Sequence, residues 1–286
     1  MSYRKIFIAL VFAFASSNQA LALNVMLTND DGFQHPWIRM LQSELVKAGH
    51  QVTIVAPEVN QSGQSAALTL SAIRGGSEAI KNPSPDIYSV QGSPATATIL
   101  GVKEVMTERP QLIISGINEG ANIGVISAFS GTVGATIAAL HLLGEPIPAI
   151  AISGNLIDKT GEPNSDANIQ HARDISQFMV RLVAGLERAT VDGTRILPPG
   201  IALNVNYPSI TADQIKGVGV YQHGRDIGVN FTGKGALPVS VTESTNLQDT
   251  TFLQEGFITI VPIDGDYTAP NWNSILPESL LQDLNS

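Results

Sequence analysis

LNVMLTNDDGFQHPWIRMLQSELVKAGHQVTIVAP, from Leu23 to Pro57, holds one complete unit of alternating structure. Val25 to Leu27 is a short apolar run that ends in Asn29-Asp30-Asp31-Gly32. Pro36 suits a first helical turn, Ile38, Leu41 and Leu45 fall on one face, and Gly49 supplies the stop. Gln51 to Pro57 then reads as a second buried strand. Strand, helix, strand in this order predicts parallel pairing.

The alternation continues downstream. Pro110 to Asn118 is an apolar strand, a helix follows Ser130-Gly131 and ends at Gly144, and Ile147 to Ser153 is a further strand. Ile175, Met179, Leu182 and Leu186 recur at three- and four-residue steps, which predicts one long helix over Asp166 to Arg188. The chain to about residue 190 is therefore an α/β layer fold. Past Pro198-Pro199-Gly200 come short β-type runs broken by Gly, Pro and Asn, with helical periodicity only at Ser274 to Leu284. This predicts a β-rich hairpin extension over about 200–265, attached to a single domain spanning 23–286 and suited to oligomer contacts.

Upstream, Arg4 and Lys5 precede an apolar run from Ile6 to Ala15 and an Ala20-Leu21-Ala22 site. That is the layout of a secretory signal peptide over residues 1–22, since a membrane span needs about 20 apolar residues. The expected location is the periplasm, with no membrane attachment of the mature chain. The 286 residues contain no cysteine, so a core rather than disulfides must stabilise the exported fold, and a hydrophobic content of 43% is ample. The formal net charge is -9, and loss of Arg4 and Lys5 makes it more negative still. With no Lys/Arg cluster, a nucleic-acid polymer is excluded as the expected partner. An anionic ligand would need a local device, either a bound cation or an array of backbone amides.

In an open parallel sheet, ligands bind beyond the carboxyl ends of the strands. Thr28 to Gly32, Pro57 to Ser65 and Ser115 to Gly124 are three strand-end loops expected on that edge. Taken alone, Asp30-Asp31-Gly32 is a capped turn. Together with Ser62 and Asn118 it offers two carboxylates and two neutral oxygens, a set for a hard divalent cation and not for zinc or copper. Asn118, Gly120, Asn122 and Gly124 alternate amide and small residues and can present N–H groups to an anion. Ser130-Gly131-Thr132 opens a helix, either as a plain N-cap or as a phosphate seat. No G-x-S-x-G elbow is present. His35 is read as a packing or surface residue, and His141, inside a helix with a mostly apolar face, as a satisfied structural histidine.

VMLTNDDG, VAPEVNQSGQSAALTL, QGSPATAT, RPQLIISGINEGANIG and FSGTVGATIAALHLLGEPIPAIAIS, in this order and spacing, resemble the SurE-type survival-protein nucleotidases. LNVNYP, IKGVGVYQHGR and EGFITIVPI extend the likeness over nearly the whole mature chain. The resemblance implies a Rossmann-like three-layer core with a β-hairpin extension, assembled as a homodimer or tetramer. It also implies a divalent-metal-dependent phosphatase acting on nucleoside 5′-monophosphates, with 3′-monophosphates as a second substrate set. Metal ligands would be Asp30, Asp31, Ser62 and Asn118, and phosphate contacts Asn122, Ser130, Gly131 and Thr132, with Mg²⁺ or Mn²⁺ as cofactor. Three positions depart from the family pattern. Thr96 replaces a carboxylate in Gly92-Ser93-Pro94-Ala95-Thr96, the acidic pair is missing near Val125, and a helix Glu is apolar near Ala138.

The expected reaction is hydrolysis of a phosphomonoester, with Asp30 and Asp31 holding the ion or one of them serving as nucleophile or base. Two other readings stand beside it: a non-catalytic periplasmic protein binding a phosphorylated ligand, and a short-chain exopolyphosphatase.

Overall fold

The computed structural model describes residues 22–160, 162–190, 195–225, 227–229, 239–241, 247–266 and 268. Residues 1–21 of the expected leader and the expected helix over 274–284 lie outside these residues. No helix among the described residues is long and apolar enough to cross a membrane.

The predicted βαβ unit is present as β1 (Asn24–Thr28), α1 (Pro36–Lys47) and β2 (Gln51–Pro57). After it come α2 (Leu70–Gly75), β3 (Ile80–Ser84), β4 (Ile87–Val90), α3 (Pro94–Leu100), β5 (Leu112–Glu119), α4 (Gly131–His141), β6 (Ala149–Gly154) and α5 (Asp166–Ala189). The last part holds β7 (Ala202–Tyr207), β8 (Gly217–Val220), β9 (Ile227–Val229), β10 (Val239–Val241), α6 (Asp249–Gln254) and β11 (Phe257–Ile263).

Nine strands form one sheet in the order β3-β4-β2-β1-β5-β6-β7-β11-β8. From β4 to β7 all pairs are parallel, as the crossover helices require; β3 and β11 run antiparallel to their neighbours β4 and β7, and β8 lies parallel to β11. Of the β-rich segment, β7, β8 and β11 thus widen the central sheet, while β9 and β10 make a separate antiparallel pair. The structure adds α6, which the sequence did not announce. Six residues are under two turns, too short for a periodic signal.

Side chains alternate between the two faces of the central strands. Val25 and Leu27 of β1, with Leu112 and Ile114 of β5, pack beneath Trp37, Ile38, Leu41 and Leu45 of α1 and Ile175, Met179 and Val183 of α5. Met26 and Ile113 face the other way, against Ala97 and Leu100 of α3 and Ala139 and Leu140 of α4. Sheet between two helical layers gives the expected three-layer core. Each large side chain buried there contributes about 1.5–3 kcal/mol.

One glycine shapes the functional edge. Gly116 lies at φ +133°, and a Cβ there would meet the Ile152 carbonyl oxygen at 2.2 Å. The β5–β6 register shifts between Ser115 and Asn118, at this glycine. The strand resumes with Asn118 at its carboxyl end.

Candidate active site

β1 lies between β2, reached through α1, and β5, reached later from the opposite side. That reversal opens a crevice at the carboxyl ends of β1 and β5, the place where doubly wound sheets bind ligands. Asn29, Asp30 and Asp31 leave β1 into it. The Asn29 side chain closes the turn, donating from Nδ2 to the Gly32 carbonyl at 2.9 Å and accepting from the Gly32 N–H at 3.1 Å. With its neighbour so fixed, Asp30 has little freedom.

Asp30 is 3% exposed, and its Oδ1 accepts from Thr132 Oγ1 at 2.7 Å. The start of α4 comes close enough that a Cβ on Gly131 would lie 2.9 Å from Asp30 Cβ and 3.1 Å from Oδ2. Glycine at 131 is therefore a condition of this packing. Burial raises the Asp30 pKa, and hydrogen bonds from the Thr132 side chain and backbone work against it. A helix N-terminus stabilises negative charge, so α4 supports the carboxylate it touches. Ser130 is the N-cap, with Oγ accepting from the Val133 N–H at 3.1 Å.

Asp31 is held from both neighbouring loops. Its Oδ2 accepts from the Glu119 N–H at 3.2 Å and its Oδ1 from Asn60 Nδ2 at 3.3 Å. Asn60 Oδ1 in turn accepts from the Ser62 N–H at 2.9 Å, and the Gln61 N–H donates to the Asp30 carbonyl at 2.7 Å. Asn118 donates from Nδ2 to the Gly120 carbonyl at 2.6 Å, which leaves its Oδ1 as a neutral oxygen donor. The loops carrying Asp30, Asp31, Ser62 and Asn118 thus meet at one edge, as expected from the parallel topology.

Burial, and after it the charge of Asp30, push the Asp31 pKa up to about 7; the Glu119 N–H opposes this and the Glu119 charge adds to it. Among the described residues neither carboxylate has an ion-pair partner. Among the described residues, no group of three or more His, Cys, Asp or Glu side chains is placed to hold a metal. Two adjacent carboxylates lacking a counter-charge, flanked by serine and amide oxygens, fit an oxygen-seeking divalent cation with one or two carboxylates in its shell. They do not fit zinc held by His or Cys.

Asn122 is buried and tied down on every side: its N–H donates to Asn206 Oδ1 at 2.7 Å, and its Nδ2 is 2.9 Å from Ser153 Oγ. The amide nitrogen carries two N–H donors, so the bond to Ser153 Oγ occupies one and leaves the other. Thr96, at the position where the resemblance implies a carboxylate, is fully buried in α3. Its Oγ1 accepts from the Thr69 N–H at 2.8 Å, an acceptor role that a hydroxyl fills without charge. Val125 is exposed and Ala138 sits in the α3–α4 core.

His35 caps α1, its Nδ1 accepting from the Trp37 N–H at 3.4 Å, and its Nε2 lies 3.6 Å from Glu119 Oε2. Burial lowers its pKa to about 4, so at neutral pH this is a neutral imidazole beside a carboxylate. His141, expected as a structural histidine on an apolar helix face, is instead exposed in the last turn of α4, with its ring against the Asp264 carbonyl. Asn60, Asn204, Asn206 and Asp249 have no role that a local stretch of sequence discloses, because their partners lie far along the chain. Two Asn in β7 one residue apart were the only signal, because polar side chains on one face of a buried strand need partners.

The family model described as Survival protein SurE matches residues 25–228. A protein named 5′-nucleotidase SurE from Thermoanaerobacter sp. (strain X514) is 35% identical over 266 residues, covering 89% of this chain and 97% of its own. One of the same name from Desulfatibacillum aliphaticivorans is 38% identical over 203 residues, 71% of this chain and 72% of that protein. The crystal structure of a SurE protein from Aquifex aeolicus superposes with a TM-score of 0.68 at 27% identity, covering 92% of this chain and all of that one (100%).

Proposed function

The chain belongs to the survival protein SurE family, and from that premise we propose that it is a divalent-metal-dependent phosphomonoesterase hydrolysing nucleoside 5′-monophosphates to nucleoside and orthophosphate. The observation that carries the reading is the adjacent pair of Asp30, buried against the start of α4, and half-buried Asp31, with no ion-pair partner for either among the described residues. The named relatives supply the substrate class, and 3′-monophosphates are a second set to test.

Asp30, Asp31, Asn118 Oδ1 and Ser62 Oγ would hold Mg²⁺ or Mn²⁺. Bound there, the cation would polarise the phosphoryl group and lower the pKa of water. Thr132 keeps Asp30 oriented, while Asn60 and the Glu119 N–H fix Asp31 from two other loops. Asn122 and the Gly131 N–H at the start of α4 donate to the equatorial phosphoryl oxygens, where charge is carried in the transition state. Water attacks phosphorus in line, the ester P–O bond breaks, and the nucleoside oxygen leaves and takes a proton. Crevice loops fixed by side-chain and backbone hydrogen bonds favour turnover through positioning.

Release of orthophosphate is measured from nucleoside 5′- and 3′-monophosphates and from tripolyphosphate. Preferential release from the 5′-monophosphate supports the reading. Release from tripolyphosphate alone contradicts it.

A further inference from the structure

β7 places two asparagines, Asn204 and Asn206, on one face of the sheet, and both are fully buried. An amide side chain without partners costs about 1–3 kcal/mol in such a place. Both converge on a single residue. Asn206 accepts from the Asn122 N–H at 2.7 Å and donates back to the Asn122 carbonyl at 3.1 Å. Asn204 donates to the same carbonyl at 2.7 Å, and Ser127 Oγ donates to it at 2.8 Å. One peptide oxygen thus collects three donors.

Two residues on, the loop is pinned again. Asp249, fully buried at the start of α6, accepts from the Gly124 N–H at 3.0 Å. Its other contacts, the Gly224 N–H at 2.8 Å and His223 Nδ1 at 2.9 Å, anchor it to the chain after β8. Buried carboxylates are retained where hydrogen bonds satisfy them, and this one accepts backbone N–H groups from two separate segments.

We propose that Asn206 and Asp249 are positioning residues for phosphoryl transfer: they fix the Asn122–Gly124 loop so that the Asn122 side chain is presented to the phosphoryl group. The inference rests on the phosphatase reading above. Neither residue touches substrate; each acts through Asn122. The C-terminal segment is in this way part of the catalytic architecture, because β7 and α6 carry the anchors for a loop of the α/β core.

The test uses Asn206→Asp and Asp249→Asn, which keep shape and change hydrogen-bond sense, with Asn122→Ala and the two double variants. A displaced group costs on the order of 10- to 100-fold in turnover. Expected are a kcat loss of about that size in each single variant, Mn²⁺ affinity within about 3-fold of the parent, and double variants no slower than Asn122→Ala alone. Leu41→Ala, on the buried face of α1, controls for stability by lowering Tm without the kcat loss. If Asn206→Asp does not fold, Ser127→Ala removes a single donor from the same carbonyl and should show a smaller loss with the same non-additivity. An impaired Asn122→Ala beside fully active Asn206→Asp and Asp249→Asn, or losses that multiply in the doubles, would overturn the positioning role alone. A fully active Asn122→Ala would overturn it together with the phosphate contact assigned to Asn122.

Discussion

Thr132 Oγ1 lies 2.7 Å from Asp30 Oδ1, joining the start of α4 to the end of β1 across 102 residues of sequence. The bond orients a carboxylate that burial would otherwise leave poorly supported. Thr132→Val removes the donor at nearly constant volume. It is expected to cost about 1–2 kcal/mol of stability and on the order of 10-fold in turnover, while Thr132→Ser retains most of both. Denaturant titration and steady-state kinetics on the pair provide the check.

Gly131→Ala sets a Cβ 2.9 Å from Asp30 Cβ, closer than such atoms approach. Either α4 or Asp30 must move. Overpacking of this kind costs about 1–3 kcal/mol, and the expected signature is a lowered Tm together with loss of turnover. An unchanged variant would show that the close approach is dispensable.

Asp31→Asn should separate function from stability. It removes the half-buried one of two adjacent like charges while keeping the side chain's shape, so the metal-free protein should be as stable as the parent or more so. Phosphate release should fall by at least about 100-fold, because a ligand and its charge are gone. Thermal melts in chelator set beside initial rates decide the matter.

His35 predicts a pH effect with a definite sign. Its pKa is lowered by burial to about 4 from 6.5, so between these values the unfolded chain takes up a proton that the native protein refuses. Stability from this group is full above pH 6.5, declines as the pH falls, and levels off below about 4. Glu119 faces the ring, and burial followed by the charge of Glu162 raises its own pKa, which weakens any compensating attraction. His35→Asn keeps a cap for α1. Relative to this variant, the parent should lose about 1–3 kcal/mol between pH 7 and 4. Parallel stability curves for the two proteins would contradict the assignment.

Much of the α/β half is legible because local pattern and final burial coincide. Ile38, Leu41 and Leu45 share a face and are all fully buried, and the long α5 follows its periodicity closely. The β-rich segment is less legible. Its runs are recognisable as strands, but which edge they pair with is decided by β11 running antiparallel beside β7, a long-range choice no short window encodes. The site divides along the same line. Asp30 and Asp31 stand out as adjacent carboxylates at a strand end. Asn60, Asn206 and Asp249 do not, because their meaning lies in partners 29, 84 and 125 residues away.

The most direct test of the central claim is orthophosphate release from a nucleoside 5′-monophosphate by the purified protein, first in EDTA and then with added Mg²⁺ or Mn²⁺. Activity abolished by the chelator, restored by the metal and absent in Asp31→Asn is the predicted result. Turnover that persists in EDTA, or metal binding with no turnover on any phosphate ester, would contradict the account.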